Sequence, residues 1–340
     1  MNIRPLEQEI ELGREYLNKR SLQTGHILPL SDKLSSEYFP ADKSYLALQG
    51  RKPLAMFSYL PGVHKAGALA RFRVVTDSKL GLKAVLKAIE ETALAEERFI
   101  VRTTVFGYAK ERLEALKAFG YRVGASLPET VSFNGRRHNL HFLYKDLTSR
   151  YHFEVKRPYA KPGLYPIVEV EKAKNPGLKV RGYRSEDRLG LDKFVSHPMV
   201  IRGIGSGLFD GLYPWTPGVY QQMVDSGRVY PLVCEDEATG EPVGTMDLYK
   251  HSEEVMQHSM GVGMYVKPEY QGMGVGGMLM ERLKILAKRL HLSNVWLSVF
   301  EGNTAAEHLY KRKGFVECGK VPGWLQEGYV NEVFMTLKLD

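Results

Sequence analysis

The chain has 340 residues, 44% of them hydrophobic and 25% charged, with a formal net charge of +8. This is ordinary globular composition at a length that favours two domains over one, and no stretch approaches the apolar length of a membrane span. Two cysteines, Cys234 and Cys318, give neither a disulfide framework nor zinc spacing and fit a reducing cytoplasm, and the dispersed Lys and Arg residues carry no nucleic-acid signature.

The opening residues, MNIRPLEQEIELGREYL, are charged and contain no apolar signal core. "SYLALQG" and "PLAMFSYL" flank Arg51-Lys52 and predict a hairpin. "ALARFRVV" predicts a strand, and "LGLKAVLKAIEETALAEE" has helical periodicity. "RFIVRTTV" predicts another strand, then "AKERLEALKAFG" a helix stopped by Gly120. "GRRHNLHFLYKDL" closes this half on an alternating strand. The stretch 156–178, rich in proline and lysine, suits a linker with a short strand at 165–170.

The second half repeats this order. "KVRGYR" predicts a strand, followed by a short helix at 187–195. "GVYQQMVDSG" predicts a glycine-stopped helix. "VYPLVCED" and "PVGTMDLYKH" predict a hairpin, and "MQHSMGVGMYV" a long strand. Val275, Met278, Leu279, Leu283, Leu286 and Leu290 fall on one helix face. "VWLSVF" predicts a strand, "TAAEHLYKRKG" a helix capped by Asn303, and two strands finish the chain. "LKAFGYRV" (116–123) aligns with "YKRKGFVE" (310–317), placing Gly120 on Gly314 and Tyr121 on Phe315. A repeat of this length implies a duplicated domain. The expected fold is therefore α+β: each half one mixed, mostly antiparallel sheet flanked by helices, with units at 1–150 and 179–340 joined by 151–178.

The densest motif is "VKPEYQGMGVGGMLMERL" (266–283). Glycine in a helix costs about 1 kcal/mol relative to alanine, so the run needs a compensating role. Helix N-termini carry unpaired N–H groups and the positive end of the dipole, and glycines let that backbone approach an anion. No G-K-[ST] follows, which excludes a Walker loop. Gly272, Gly274 and Gly277 do read G-x-G-x-x-G, but antiparallel hairpins precede them rather than a βαβ unit.

What remains is Q-x-x-G-x-G: Gln271, Gly272, Met273, Gly274, Val275 and Gly276. With "V-x-P-E-Y" before it, this resembles the pyrophosphate loop of the GNAT (Gcn5-related N-acetyltransferase) superfamily. Asn303, Ala306, Tyr310, Gly314 and Phe315 resemble that superfamily's downstream motif, and "GYVNEVFMTLKL" its last strand. The resemblance covers about 179–340. It implies a tandem protein with a degenerate first copy, whose loop "TDSKLGLKAVL" keeps only Gly81. It also implies an acetyl-CoA-dependent transferase acting on a small-molecule or peptide amine, with no membrane partner and no metal.

By the same resemblance, the backbone of Met264, Tyr265 and Val266 holds the pantetheine arm and polarises the acetyl carbonyl. Residues 271–276 hold the pyrophosphate, and Asn303 contacts the arm. Tyr310 is the acid for the departing thiolate. The strand before the loop lacks the family's frequent glutamate, so the proton acceptor is open: His258 and Ser259 are nearest, and Asp247 lies on the neighbouring strand. The methionines of this half read as core rather than ligands, since no His or Cys accompanies them at ligand spacing. Residues 202–220 suit an acceptor lid, with Trp324 facing it, and Asp210, Asp247, Glu327 and Glu332 could draw a cation. Two other functions fit the same residues: a GNAT-fold transferase using aminoacyl-tRNA, and a non-catalytic acyl-CoA sensor.

Overall fold

The computed structural model describes residues 1–20, 23, 39, 41–61, 69–148, 177–187, 217–251, 253–325 and 328–339. The linker through residue 176 with its strand, the helix beyond Asp187, Asp210, Glu327 and most of the lid lie outside these residues.

The first half runs β1 (Asn2–Pro5), α1 (Ile10–Asn18), β2 (Ser44–Gln49), β3 (Lys52–Pro61), β4 (Leu69–Val75), α2 (Lys79–Ala95), β5 (Ile100–Phe106), α3 (Lys110–Ala118), β6 (Arg122–Phe133) and β7 (Arg136–Asp146). The second runs β8 (Leu178–Gly182), α4 (Pro217–Asp225), β9 (Val229–Asp236), β10 (Glu241–Lys250), β11 (Ser259–Val266), α5 (Val275–Arg289), β12 (Asn294–Phe300), α6 (Thr304–Arg312), β13 (Val316–Leu325) and β14 (Gly328–Lys338).

Among the described residues, all fourteen strands join one sheet, ordered β1-β2-β3-β4-β5-β7-β6-β13-β14-β12-β11-β10-β9-β8. The order reads as a mirror image about the β6–β13 seam. In each half one pair is parallel, β4 with β5 and β11 with β12, and the other neighbours are antiparallel. The sheet is thus mixed and mostly antiparallel, as expected, but the halves do not keep separate sheets. Glycines permit the junction. A Cβ at Gly319 would stand 2.3 Å from the Gly124 carbonyl oxygen, and one at Gly124 would stand 2.4 Å from that of Lys320.

Each half carries two helices on the outer face of its sheet. Strand alternation sends Met246, Leu248, Val295, Leu297, Val333 and Met335 to α5 and α6, and Phe72, Val74, Val101 and Leu143 to α2 and α3. Helix α1 lies on the opposite face of the first half, over Leu46, Met56 and Val75, and α4 covers Tyr249 on the opposite face of the second. The inner faces of β5, β7, β12 and β14 then meet. Phe142 lies 4.2 Å from Phe334 and 5.9 Å from Trp296, ring centre to ring centre. These rings form a core between the halves with Leu127, Leu140, Val255, Met256 and Val321.

Three local expectations change. The buried face of α5 is Val275, Leu279, Met280, Leu283 and Ala287, whereas Met278 is 36% exposed. The helix starts at Val275, and i, i+4 spacing from there puts Met278 outside the stripe. Strand β11 starts at Ser259 rather than Met256, because Glu254–Met256 forms a 3-10 turn that buries Val255 and Met256 in the inter-half core. Trp324 belongs to β13, paired with Tyr329, rather than to a loop between the last strands.

Candidate active site

Strands β11 and β12 are paired only at Ser259–Asn294, Met260–Val295 and Gly261–Trp296. Among the described residues no ladder pair joins them beyond that point. The backbone from Val262 to Val266 therefore has β10 on one side, with Met264 opposite Met246 and Val266 opposite Gly244, and an opening on the other.

The chain leaves β11 at a pinned corner. Lys267 N–H donates to the Val243 carbonyl at 2.9 Å, and Pro268 is buried. The Tyr270 hydroxyl donates to Asp236 at 3.0 Å, which ties the corner to the β9–β10 turn. Gln271 folds back, its amide donating to the Val266 carbonyl at 3.2 Å. Gly272 and Gly274 then take φ of +84° and +90°, the left-handed region that side chains avoid.

Gly274 is the N-cap of α5 and has no side chain with which to cap it. The first backbone bond of the helix runs from Met278 N–H to the Gly274 carbonyl at 3.0 Å. The N–H groups of Val275, Gly276 and Gly277 precede it and have no partner within the helix. A Cβ at Gly272 or Gly274 would meet nothing within 4 Å, so space is open on that side. At Gly276 a Cβ would stand 2.8 Å from Leu309 and 3.3 Å from Met264, so the helix start is locked between β11 and α6. Lys313, tied to Glu281 at 2.6 Å, holds its ammonium 3.9 Å from a Cβ at Gly277. The arrangement is an anion cradle with a cation beside it.

Asn303 caps α6, its Oδ1 accepting from Ala306 N–H at 3.2 Å. Tyr310 is buried two residues before the end of α6, its ring 5.7 Å from that of Phe315. It belongs to the same outer-face core as Val275, with Met264 and Leu309 packed against that core.

His258 and Ser259 do not join this group. They stand at the closed end of the β11–β12 pair, five residues and more from Met264, or roughly 17 Å of strand. His258 Nε2 donates to the Glu129 carbonyl at 3.0 Å, and the Ser259 hydroxyl donates to Asn294 Oδ1. His258 thus bonds the first half directly, and Ser259 holds Asn294, whose amide donates to the same Glu129 carbonyl at 3.3 Å.

A buried carboxylate flanks β11: Asp247, opposite Gly263 on β10 and 2% exposed. Tyr220 of α4 donates to one of its oxygens at 2.8 Å and Tyr249 to the other at 3.0 Å. Burial pushes its pKa up to about 6, against the opposing pull of these hydroxyls. The same burial, with the carboxylate alongside, raises both phenols far above their usual range, so they stay protonated donors. Tyr249 also lies over Gly263, where a Cβ would stand 2.7 Å from its hydroxyl. Glu332 is fully buried against Arg102 at 3.0 Å and is not a free acid.

The corresponding region of the first half is filled. Ser78 caps α2, accepting from Gly81 N–H at 3.0 Å, and a Cβ at Gly81 would strike the Leu54 carbonyl oxygen at 2.7 Å. Strands β4 and β5 pair at three positions and then part, as β11 and β12 do. Here the Thr103 hydroxyl spans the gap to the Phe72 carbonyl at 2.9 Å, and Arg112 donates to the Val74 carbonyl at 3.1 Å. Aligning Gly120 with Gly314 puts Arg112 at the place of Ala306 and Leu116 at that of Tyr310.

Residues 204–315 match the family model described as Acetyltransferase (GNAT) family. The second half of the chain thus carries a segment similar to the GNAT family. The chain is 34% identical over 61 residues to thialysine N-epsilon-acetyltransferase of Bos taurus, a match covering 18% of this chain and 36% of that protein. It is 37% identical over 54 residues to streptothricin acetyltransferase of Streptomyces lavendulae, covering 16% and 29%. The chain thus spans about a third of the length of these curated relatives. Among solved structures, yncA of Salmonella typhimurium, with its cofactor acetyl-CoA, covers 48% of this chain and 94% of its own at 20% identity and a TM-score of 0.42. The ribosomal-protein-S5-alanine acetyltransferase of Vibrio fischeri covers 51% and 98% at 15% identity and a TM-score of 0.41. Among the described residues, no helix is long and apolar enough to cross a membrane, and no group of His, Cys, Asp and Glu could hold a metal ion.

Proposed function

We propose that the chain is an acetyl-CoA-dependent N-acetyltransferase whose catalytic unit is residues 179–340, transferring acetyl to a primary amine of a small molecule or peptide. The observation that carries this reading is the row of uncapped N–H groups at Val275, Gly276 and Gly277, set at the mouth of the β11–β12 opening. A pyrophosphate fits the first feature and an extended thioester arm the second. The relatives named for thialysine and streptothricin lend support to an amine acceptor.

The chemistry follows from the amine. Near pH 7 an unperturbed alkylammonium is neutral in only about one part in a thousand, so a proton acceptor is required. Asp247 fits that role better than His258 or Ser259, because it is buried beside Gly263 with its pKa near 6. Its phenol donors fix the carboxylate and leave lone pairs for the amine proton. Backbone N–H groups of 264–266 that face the opening would polarise the acetyl carbonyl. Tyr310 would protonate the departing thiolate. Tyr310→Phe should lower kcat roughly 10²-fold while the affinity for acetyl-CoA changes less than twofold. Stopped-flow turnover and calorimetric binding measured on one preparation check this, and a sensor would be indifferent in both. An aminoacyl-tRNA donor is disfavoured, since an acyl group carried by tRNA needs no pyrophosphate cradle.

The first half, 1–150, is on this reading a copy that has lost the cofactor. Ser78 has taken over the helix end, Thr103 and Arg112 occupy the gap, and Leu116 replaces the phenol. Ser78→Ala should lower stability by about 1 kcal/mol in urea unfolding. It should not create a second acetyl-CoA site, because Arg112 still fills the gap.

A further inference from the structure

The methionines of this chain are unevenly placed. Apart from Met1 at the chain start, those among the described residues that are not buried are Met264, Met273 and Met278. All three stand at the anion cradle. Met264 lies on the stretch of β11 that has no ladder partner on β12. Met273 sits between Gly272 and Gly274, and Met278 donates the first backbone bond of α5 to the Gly274 carbonyl. A thioether that solvent reaches is open to oxidation to the sulfoxide, which turns a flexible apolar side chain into a polar one.

Met264 differs from the other two in what its sulfur touches. Its side chain is half-buried and packs against the core that holds Leu279 and Tyr310. A Cβ at Gly276 would stand 3.3 Å from both Sδ and Cε of Met264. The thioether therefore rests on the bare backbone of Gly276, the second residue of α5, and only a glycine leaves it that room. Leu309 closes the same spot from α6, 2.8 Å from that Cβ position. An oxygen added to this sulfur finds apolar neighbours on the core side, where an acceptor goes unsatisfied. On the other side is a helix start whose first N–H groups have no helical partner. Either the oxygen takes one of those donors or the helix start shifts away from β11. Both outcomes spoil the cradle for an anion. Met278, 36% exposed, can hold a sulfoxide in solvent without moving the backbone.

We propose that Met264 is a redox-modification site, at which oxidation by a hydroperoxide disables the cradle and so switches off cofactor binding. This rests on the reading of the cradle as an acetyl-CoA site. In the step, the sulfur lone pair attacks one peroxide oxygen, the S–O bond forms and the O–O bond breaks. The thioether is oxidised to the sulfoxide, and the peroxide is reduced and leaves as water or an alcohol. A methionine sulfoxide reductase reverses the change, using thiol as reductant. Acetyl-CoA seated against β11 covers Met264, so the cofactor protects the residue whose oxidation expels it.

The test treats the full chain with hydrogen peroxide at a dose that oxidises Met278, then with dithiothreitol, which returns cysteine disulfides and sulfenates to thiols but leaves sulfoxides. Peptide masses locate the added oxygens, and calorimetry gives the acetyl-CoA affinity. The proteins are wild type, Met264→Leu and the double variant Met273→Leu, Met278→Leu, each referenced to its own untreated form. Treatment should weaken binding by about tenfold or more in wild type and in the double variant, and by less than about twofold in Met264→Leu. Methionine sulfoxide reductase should restore the loss, and acetyl-CoA present during treatment should lower the yield of Met264 sulfoxide. Met264 sulfoxide with unchanged affinity, an equal loss in Met264→Leu, or a Met264 that stays reduced while Met278 is oxidised overturns the proposal. If Met264→Leu does not fold, loss and recovery in the double variant decide. Failure of untreated wild type to bind acetyl-CoA would count against the acetyltransferase reading itself. Amide hydrogen exchange at 275–278 then decides the proposal: a change of about threefold or more on Met264 oxidation supports it, and unchanged rates overturn it.

Discussion

Asp247→Asn should lower kcat by roughly 10²- to 10⁴-fold, the range expected for loss of a positioned proton acceptor. In the wild-type chain, kcat/KM should rise with pH through a limb near 6, the pKa to which burial lifts this carboxylate. The sign follows from the role. A base works when ionised, so activity is present above about 6 and lost below it. The variant should have no such limb.

The same substitution should stabilise the fold at neutral pH. An unfolded Asp titrates near 3.8, so between 3.8 and about 6 the folded chain holds a proton that the unfolded chain has released. Stability conferred by that proton is full below 3.8, falls as pH rises through this window, and is gone above about 6. Two units correspond to about 3 kcal/mol. Urea unfolding at pH 8 should place Asp247→Asn above wild type, with the difference shrinking toward pH 4. Less activity with more stability is the signature of a group kept for chemistry, whereas a structural aspartate would lose both.

Gly274→Glu should raise the dissociation constant for acetyl-CoA by about 100-fold or more. Two effects combine. The φ of +90° at the N-cap of α5 is strained for any side chain, at a cost of about 1–2 kcal/mol. A carboxylate there also meets the positive helix end in place of the ligand, and repels a pyrophosphate. Gly81→Glu is the informative control. Its Cβ would strike the Leu54 carbonyl oxygen, so it should destabilise the first half without changing cofactor affinity.

Local chemistry made much of this legible in the sequence. Each glycine of the 271–277 run stands where the backbone turns left-handed or approaches α6, so the run reads as a loop feeding a helix before any coordinates. The Gly120–Gly314 match is legible for the same reason, since both follow a helix with positive φ. Contacts distant in the chain were not. Arg102 and Glu332 are 230 residues apart, and nothing near either announces the other. His258 was attractive as a base by its nearness to the loop in sequence, yet a strand carries it to the closed end, where it binds Glu129 of the other half. In the sequence Asp247 is one acid among several; the hydroxyls of Tyr220 and Tyr249 on its two oxygens set it apart. Strand alternation indicates which face a residue takes, but not what the opposite element brings to it.

The proposed function requires that the second half of the chain binds acetyl-CoA and the first does not. Calorimetric titration of acetyl-CoA into the full chain tests it most directly. One site per chain, abolished by Gly274→Glu and unchanged by Gly81→Glu, is the predicted result. Two sites, or none, would contradict it.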